Sequence, residues 1–540
     1  MTATDHQPTA ADRPPPERVG GRAGPSRWWG VGAGLAAVAA ALAAGELAAG
    51  FAASLRNPVV SVGDRVIDLA PPWLKDFAID TFGTNDKPAL LTGTVVLLTA
   101  LALIAGVAAV RRRRALALGI VAAFGAVGMA AATTGRNGTG NGWVPSLLAA
   151  LAAATTLLVC ARLSPVPVEA VAARGDDVAP DTAVATQRRR FLLALGGVGV
   201  ASAVVAATGR KLSGRFAVAA ERAAVQPRTP VDPLPAAPAD PALEVAGLSP
   251  LFVPNEDFYR IDTALVIPRV STASWALAID GLVERPLRLT YDQLWERTLH
   301  EYDVTLSCVS NQVGGDLVGN ARWIGVRLDE LLDEAGVLPE ADQVMSHSVD
   351  GFTAGFPVRA ALDGRNAIVA LTMNGAVLPI AHGYPARLVV PGLYGYVSAT
   401  KWLQRIELTR FDVAEGYWIP RGWAVEAPIK TQSRIDTPRA GRDLRAGTVP
   451  IAGVAWAPGR GVDAVEVQVD DGPWQRAELG PELADTSWRQ WWLGWEATPG
   501  AHTLRCRATD GTGATQTEQR TRPDPDGATG WHTVQVEVGR

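Results

Sequence analysis

Cysteine is nearly absent from this chain: Cys160, Cys308 and Cys506 are the only three in 540 residues. A disulfide-dense scaffold is excluded. So is an iron–sulfur cluster, which takes about four gathered thiolates. Histidine is also scarce. The six are His6, His300, His347, His382, His502 and His532, and none lies between Trp28 and Gly209. Haem ligated by His pairs within that apolar region is therefore excluded, and no Cys-x-x-Cys-His stands anywhere for covalent haem. The chain also lacks Cys-x-x-Cys and any Cys/His cluster, which leaves no closed zinc site. The net charge of −4 offers no excess of positive charge for a polyanion. At 540 residues, one compact core would be too large, so several domains are expected.

What is abundant is apolar sequence, at 48% with a mean hydropathy of +0.11, and it is concentrated in residues 28–210. Runs at 28–55, 88–110, 115–134 and 144–161, and a fifth at 188–209, each approach or exceed the ~20 residues that cross a bilayer. Arg13, Arg18, Arg22 and Arg27 precede the first run. Arg111 to Arg114 separate the second and third, and Arg162, Arg174 and Arg188 to Arg190 lie between the fourth and fifth. By the positive-inside rule the N-terminus is cytoplasmic and everything after Gly209 is outside. Glu46, near the outer end of the first run, is expected at the membrane interface because burying it is costly. Arg188-Arg189-Arg190-Phe191-Leu192 matches the twin-arginine pattern of proteins exported already folded; a plain basic stop at a helix end is the alternative.

Residues 211–247 are rich in Pro and Ala, as in "VQPRTPVDPLPAAPADPAL", and read as a semi-extended tether. From 248 to 411, strand-like runs ("SWALAIDGLV", "YDVTLSCVS", "AIVALTM", "ARLVVPG", "WLQRIELTR") alternate with helix-like ones ("TYDQLWERTL", capped by Thr290, and "RLDELLDEAGV"), which indicates an α+β domain. Residues 425–540 alternate apolar and polar residues between Gly/Pro/Asp turns, as an antiparallel sandwich does. Its "WRQWWLGW" run supplies core and, by alternation, an outward face suited to a homodimer interface.

Two constellations carry chemistry. Cys308 ends a strand and precedes the glycine-rich "VSNQVGGDLVGNARWIGVRL". Its sulfur could be a nucleophile, a soft-metal ligand, one half of a disulfide with Cys506, or a lone buried thiol. The second is "HGYPARLVVPGLYGYVSATKWLQRIEL", where His382, Arg387, Ser398, Thr400 and Lys401 combine cations and hydroxyls suited to a phosphate.

Taken together, "FYRIDTALVIP", "WALAIDGLVERPLRLTYDQL", "LSCVSN", "ARWIGVRL", "MNGAVLPIAHGYPARLVVPG" and "VSATKWL" resemble the sulfite oxidase family of molybdopterin enzymes over about residues 250–540. The resemblance implies that Cys308 ligates molybdenum. It implies that Arg387 and Lys401 hold the pterin phosphate, with His382 against the pterin and Asn255, Tyr259 and Arg260 lining the cofactor. Ser348 falls where a related branch has a pterin-binding Thr. The chain departs from sulfite oxidase itself at Gln312 and Val313, where an Arg pair would stand, at Ile261-Asp262-Thr263, and at Phe352, in place of a Tyr beside the metal. These departures fall in the anionic-substrate pocket and leave sulfite in doubt. The C-terminal sandwich resembles the family's immunoglobulin-like dimerisation domain.

The expected architecture is multi-domain: a cytoplasmic tail (1–27), an all-α membrane domain of four helices (28–187) plus a fifth transmembrane helix (188–210), a linker (211–247), an α+β molybdopterin domain (248–411) and an all-β immunoglobulin-like sandwich (425–540). The expected function is oxygen-atom transfer to or from a small substrate at a molybdenum–molybdopterin cofactor, with a separate electron-transfer partner, since no haem ligands are available. A cofactor-free binding or assembly module is the alternative. A transporter is disfavoured because the apolar runs carry no charge in their interiors but Glu46.

Overall fold

The computed structural model describes residues 26–539 apart from 53–54, 72–73, 75–76, 78–80, 83–84, 137, 167, 169–179, 215–217, 239 and 241–242. Nearly all of the expected cytoplasmic tail, Arg13, Arg18, Arg22 and Arg174 lie outside the described residues. The chain divides into two compact units, 1–215 and 216–540.

The first unit is helical. Its helices are α1 (Arg27–Ala49), α2 (Pro58–Leu69), α3 (Asp86–Val110), α4 (Arg114–Thr134), α5 (Trp143–Leu163) and α6 (Pro180–Gly214). All but α2 are long and apolar enough to cross a membrane. The fifth apolar run sits inside a longer helix than expected: α6 starts before Arg188, so the arginine cluster is already helical. The core of this unit is made of small residues, with Ala33, Ala37, Ala105 and Ala117 buried beside Phe191. At one end, α2 and its flanks hold the charges. Glu46, in the last turn of α1, accepts from Asn57 Nδ2 at 2.7 Å, and Arg56 pairs with Asp64 at 3.2 Å. Composition alone gave no sign of α2. Asn57 caps it by accepting from Val59 N, and Pro58 opens it.

The second unit is built from four sheets. The strands of the first two are β1 (Ala276–Gly281), β2 (Leu287–Thr290), β3 (His300–Ser307), β4 (Val318–Arg327), β5 (Gln343–Ser348), β6 (Thr353–Pro357), β7 (Ile368–Met373), β8 (Ala376–Val377), β9 (Arg387–Val389) and β10 (Leu403–Thr409). One sheet runs β2-β1-β10-β5-β6; the other runs β3-β4-β7-β8, with β9 on β7. Short helices fill the connections. Tyr291–Trp295 begins with a full capping box, in which Thr290 and Gln293 satisfy each other's backbone N–H.

The C-terminal region has β11 (Gln432–Thr437), β12 (Asp443–Arg445), β13 (Gly447–Trp456), β14 (Val462–Val469), β15 (Gln475–Arg476), β16 (Glu478–Leu479), β17 (Arg489–Ala497), β18 (Gly500–Asp510) and β19 (His532–Gly539). They form two sheets, β11-β13-β17-β16 and β12-β19-β18-β14-β15, around a shared core of Ile451, Val465, Trp491, Leu504 and Val536. Trp456 and Trp488 leave that core and join the core of the preceding domain. The junction also has a polar seam. Trp488 N donates to Thr305 Oγ1 at 2.7 Å, Thr305 N to Thr486 O at 3.0 Å, and Thr486 Oγ1 to Asp303 O at 2.6 Å. In the "WRQWWLGW" run, Trp488, Trp491 and Trp495 are buried and Trp492 is half-buried, which leaves the expected outward tryptophan face to one residue.

The Pro/Ala-rich stretch also touches the domain. Arg222 donates from Nε to Leu378 O and from Nη2 to Val377 O, both at 2.6 Å, and Val231 N donates to Leu299 O.

Candidate active site

Cys308 follows the last residue of β3 and opens a tight loop back to β4. The loop closes on itself. Cys308 N donates to Leu317 O at 2.9 Å, Asn311 N to Cys308 O at 3.0 Å, and Leu317 N to Asn311 Oδ1 at 2.9 Å. Burial pushes the Cys308 thiol up, against a smaller downward pull from hydrogen bonds of Ser310. A thiol held this way is a poor free nucleophile and becomes a thiolate when a soft cation takes its proton's place. All three cysteines are free and buried, so the Cys308–Cys506 disulfide does not form. Cys506 instead sits in the sandwich core, where Ser433 Oγ approaches its Sγ at 3.3 Å.

His382 and Arg387 stand together beside the segment containing Asn255 and Tyr259. His382 Nε2 donates to Asn255 O at 2.8 Å. The acceptor is a carbonyl, so Nε2 carries the proton and Nδ1 keeps its lone pair. Burial, with Arg387 adding to it, lowers the His382 pKa to about 4, and the ring is neutral. Asn255 is itself fixed: Nδ2 donates to Met373 O and Oδ1 accepts from Asn374 Nδ2. The phenol of Tyr259 is raised by burial and further by Cys308, with Arg387 opposing, so the three groups share one neighbourhood.

Arg387 is the unusual member. It is 5% exposed and lies over the Trp323 ring at 5.0 Å. Its protein partners are carbonyls: Nη1 donates to His382 O at 3.2 Å and Nη2 to Ala399 O at 3.4 Å. Its Nε has no hydrogen-bond partner among the described residues. Among the described residues no carboxylate pairs with it, and burial lowers its pKa to about 10. A buried guanidinium without a counter-ion is costly unless an anion completes it. Lys401 is near by. At Gly383, with φ +120°, a Cβ would fall 3.0 Å from Arg387 Cβ and 3.2 Å from Lys401 Cα, so glycine is what lets these two segments meet. Lys401 Nζ donates to Asp262 Oδ2 at 3.0 Å, and Arg260 Nε lies 3.5 Å from the same oxygen. Sequence reasoning noted Asp262 only as a departure from the family; here it links the two cations.

The three hydroxyl residues are engaged within the protein. Ser398 Oγ donates to Leu393 O and Tyr394 O, Thr400 Oγ1 lies 2.7 Å from Ser346 Oγ, and Ser348 Oγ accepts from Asp350 N. Phe352 has a phenol beside it after all: the Tyr417 ring stands 5.9 Å away, supplied by a distant loop and invisible to a position-by-position reading. A cleft of ≈ 530 Å³ between the domain and the sandwich is lined by Gly392, Leu393, Arg460 and Thr486 among others, and neither Cys308 nor Arg387 lines it.

With this geometry in place, similarity to known proteins is informative. The family described as oxidoreductase molybdopterin binding domain matches residues 264–418. An uncharacterized oxidoreductase of Bacillus subtilis, YuiH, is 33% identical over 149 residues, covering 28% of this chain and 72% of that protein. The chain belongs to the sulfite oxidase family of molybdopterin oxidoreductases. Mitochondrial sulfite oxidase of Mus musculus is 30% identical over 287 residues, covering 44% of this chain and 52% of that protein. The chain thus spans about half the length of that relative. The sulfane dehydrogenase SoxCD of Paracoccus pantotrophus aligns with a TM-score of 0.47 at 24% identity, over 55% of this chain and 83% of that one.

The sulfite oxidase family carries a molybdenum–molybdopterin cofactor, and the residues here fit it on two grounds. Arg387 is a buried cation with no carboxylate partner among the described residues, and Cys308 is a buried thiol on a loop fixed by its own backbone.

Proposed function

We propose that this protein is a membrane-anchored molybdopterin-dependent oxidoreductase that moves an oxygen atom to or from a small substrate. The observation that supports it most is Arg387, buried and without a carboxylate partner among the described residues, beside Lys401 and neutral His382. Arg387 and Lys401 would hold the pterin phosphate, and Lys401 would exchange Asp262 for it. Asn255, Tyr259, Arg260 and His382 would border the pterin, His382 offering the Nδ1 lone pair to an N–H. Cys308 would ligate molybdenum. When bound, the cofactor supplies two-electron oxygen-atom transfer. Ser348, Ser398 and Thr400 would act by holding the surrounding loops, since their hydroxyls bond to protein. Gln312 and Val313 bring no positive charge next to Cys308, which favours a neutral substrate such as a sulfoxide over sulfite.

In this reading the five long helices span the cytoplasmic membrane, the arginines keep the N-terminus inside, and the second unit faces outward. Arg188 to Arg190 would then serve as the export signal for a cargo loaded with cofactor in the cytosol. The C-terminal sandwich would be immunoglobulin-like, and electrons would pass to a separate carrier. The test is cofactor retention. Purified wild-type protein should hold about one molybdenum and one pterin per chain, and Arg387→Ala should retain less than about a tenth of both, through loss of a charge-assisted contact. Full retention in Arg387→Ala would remove the basis of the reading.

A further inference from the structure

The loop that carries Cys308 is held from outside as well as from within. Arg434, on β11 of the sandwich, is 9% exposed and makes three bonds. Nη1 donates to Gly315 O at 2.7 Å, Nη2 to Ser249 Oγ at 2.9 Å, and Nε to Asp436 Oδ1 at 2.6 Å. Asp436 completes the ring by accepting from Ser249 N through Oδ2 at 3.0 Å. On the other side, His532 of β19 packs on Gly314. A Cβ there would fall 2.2 Å from the imidazole, and φ is +80°. His532 Nδ1 accepts from Ile435 N at 3.0 Å, so this ring is fixed by β11 too.

The sandwich does not need this cluster for attachment, because Trp456, Trp488 and the Thr486 seam already join it to the domain. A buried ion pair is a poor means of adding stability and a good means of fixing geometry. What it fixes here is backbone. Gly315 O is two residues from Leu317, whose carbonyl accepts from Cys308 N. The loop has no apolar side chain between Val313 and Leu317 to pack it in place.

We propose that Arg434, oriented by Asp436 and backed by His532, is a positioning residue that sets where the Cys308 sulfur is held. The sandwich is then part of the construction of the active site. This rests on the reading of Cys308 as the metal ligand only for its consequence at the metal, and the test separates the two.

The full chain is compared with Arg434→Met, which keeps the volume and loses all three donors, with Arg434→Lys, and with Thr486→Val, which weakens the same interface elsewhere. Two quantities are read: the alkylation rate of Cys308 by iodoacetamide in cofactor-free protein, followed by peptide mass, and the Mo(V) paramagnetic resonance of loaded protein. Arg434→Met should raise alkylation about tenfold through local opening of the loop and shift or broaden the Mo(V) signal. Arg434→Lys should fall between it and wild type, and Thr486→Val should change neither quantity while lowering the melting temperature. Wild-type alkylation and signal in Arg434→Met would overturn the proposal. An equal change in Thr486→Val would also overturn it, by showing a general interface effect. If Cys308→Ser keeps the wild-type Mo(V) signal, the ligand reading fails, and alkylation alone decides the clamp.

Discussion

The two units pack in opposite senses. In the helical unit the buried residues are small, while Val96, Leu192, Leu193, Val200 and Val204 face outward, each more than half exposed. In the second unit Trp323, Trp402, Trp456, Trp488 and Trp491 are fully buried. Large apolar side chains go wherever their surroundings are apolar. A protein interior supplies that in one unit, and only lipid or a partner protein could supply it in the other. Polar groups follow the same division. Among the described residues, the ion pairs of the helical unit lie around α2, whereas the second unit buries Arg387 and Arg434.

The sharpest way to break this comparison is to put a side chain where a glycine stands. Where α1 and α3 touch, a Cβ on Gly106 would fall 2.2 Å from Gly30 O and 2.5 Å from Gly34 N, while Gly93, in the same helix, has nothing within 4 Å among the described residues. Gly106→Leu should therefore abolish accumulation of folded protein in the membrane fraction, and Gly93→Leu should leave it at wild-type levels, both checked by immunoblot of detergent extracts. Equal tolerance at the two sites would show that backbone contact does not hold these helices together.

A smaller effect separates the units by pH. His382 is buried and His532 half-buried, and both are neutral, each with a pKa lowered to about 4 chiefly by desolvation, against 6.5 when exposed. Between those limits the unfolded chain binds protons that the native second unit does not, so its stability is full above about pH 6.5 and declines as pH falls towards 4. Thermal unfolding of the second unit should show a lower midpoint at pH 5 than at pH 7, and His532→Gln should flatten that dependence. No change between the two pH values would mean that these imidazoles take up protons in place.

Much of this was legible from the sequence because it is local. Hydropathy and arginine placement outlined the long helices, Thr290 marked its helix start, and the glycine-rich run after Cys308 marked the loop. The unread parts are long-range. Arg434 meets Gly315 and Arg222 meets Leu378 across more than a hundred residues each, with no periodicity linking them. Tyr417 reaches Phe352 from a separate loop, and α2 was missed because twelve residues of mixed polarity register neither as a span nor as a domain.

The central claim is that Cys308 is a metal ligand. X-ray absorption at the molybdenum edge tests it most directly, since it counts sulfur neighbours. A cofactor dithiolene supplies about two, and a thiolate ligand from the chain would make about three. We predict about three in the wild-type protein and about two in Cys308→Ser, with molybdenum content preserved by Arg387 and Lys401. The same sulfur count in both proteins would contradict the account.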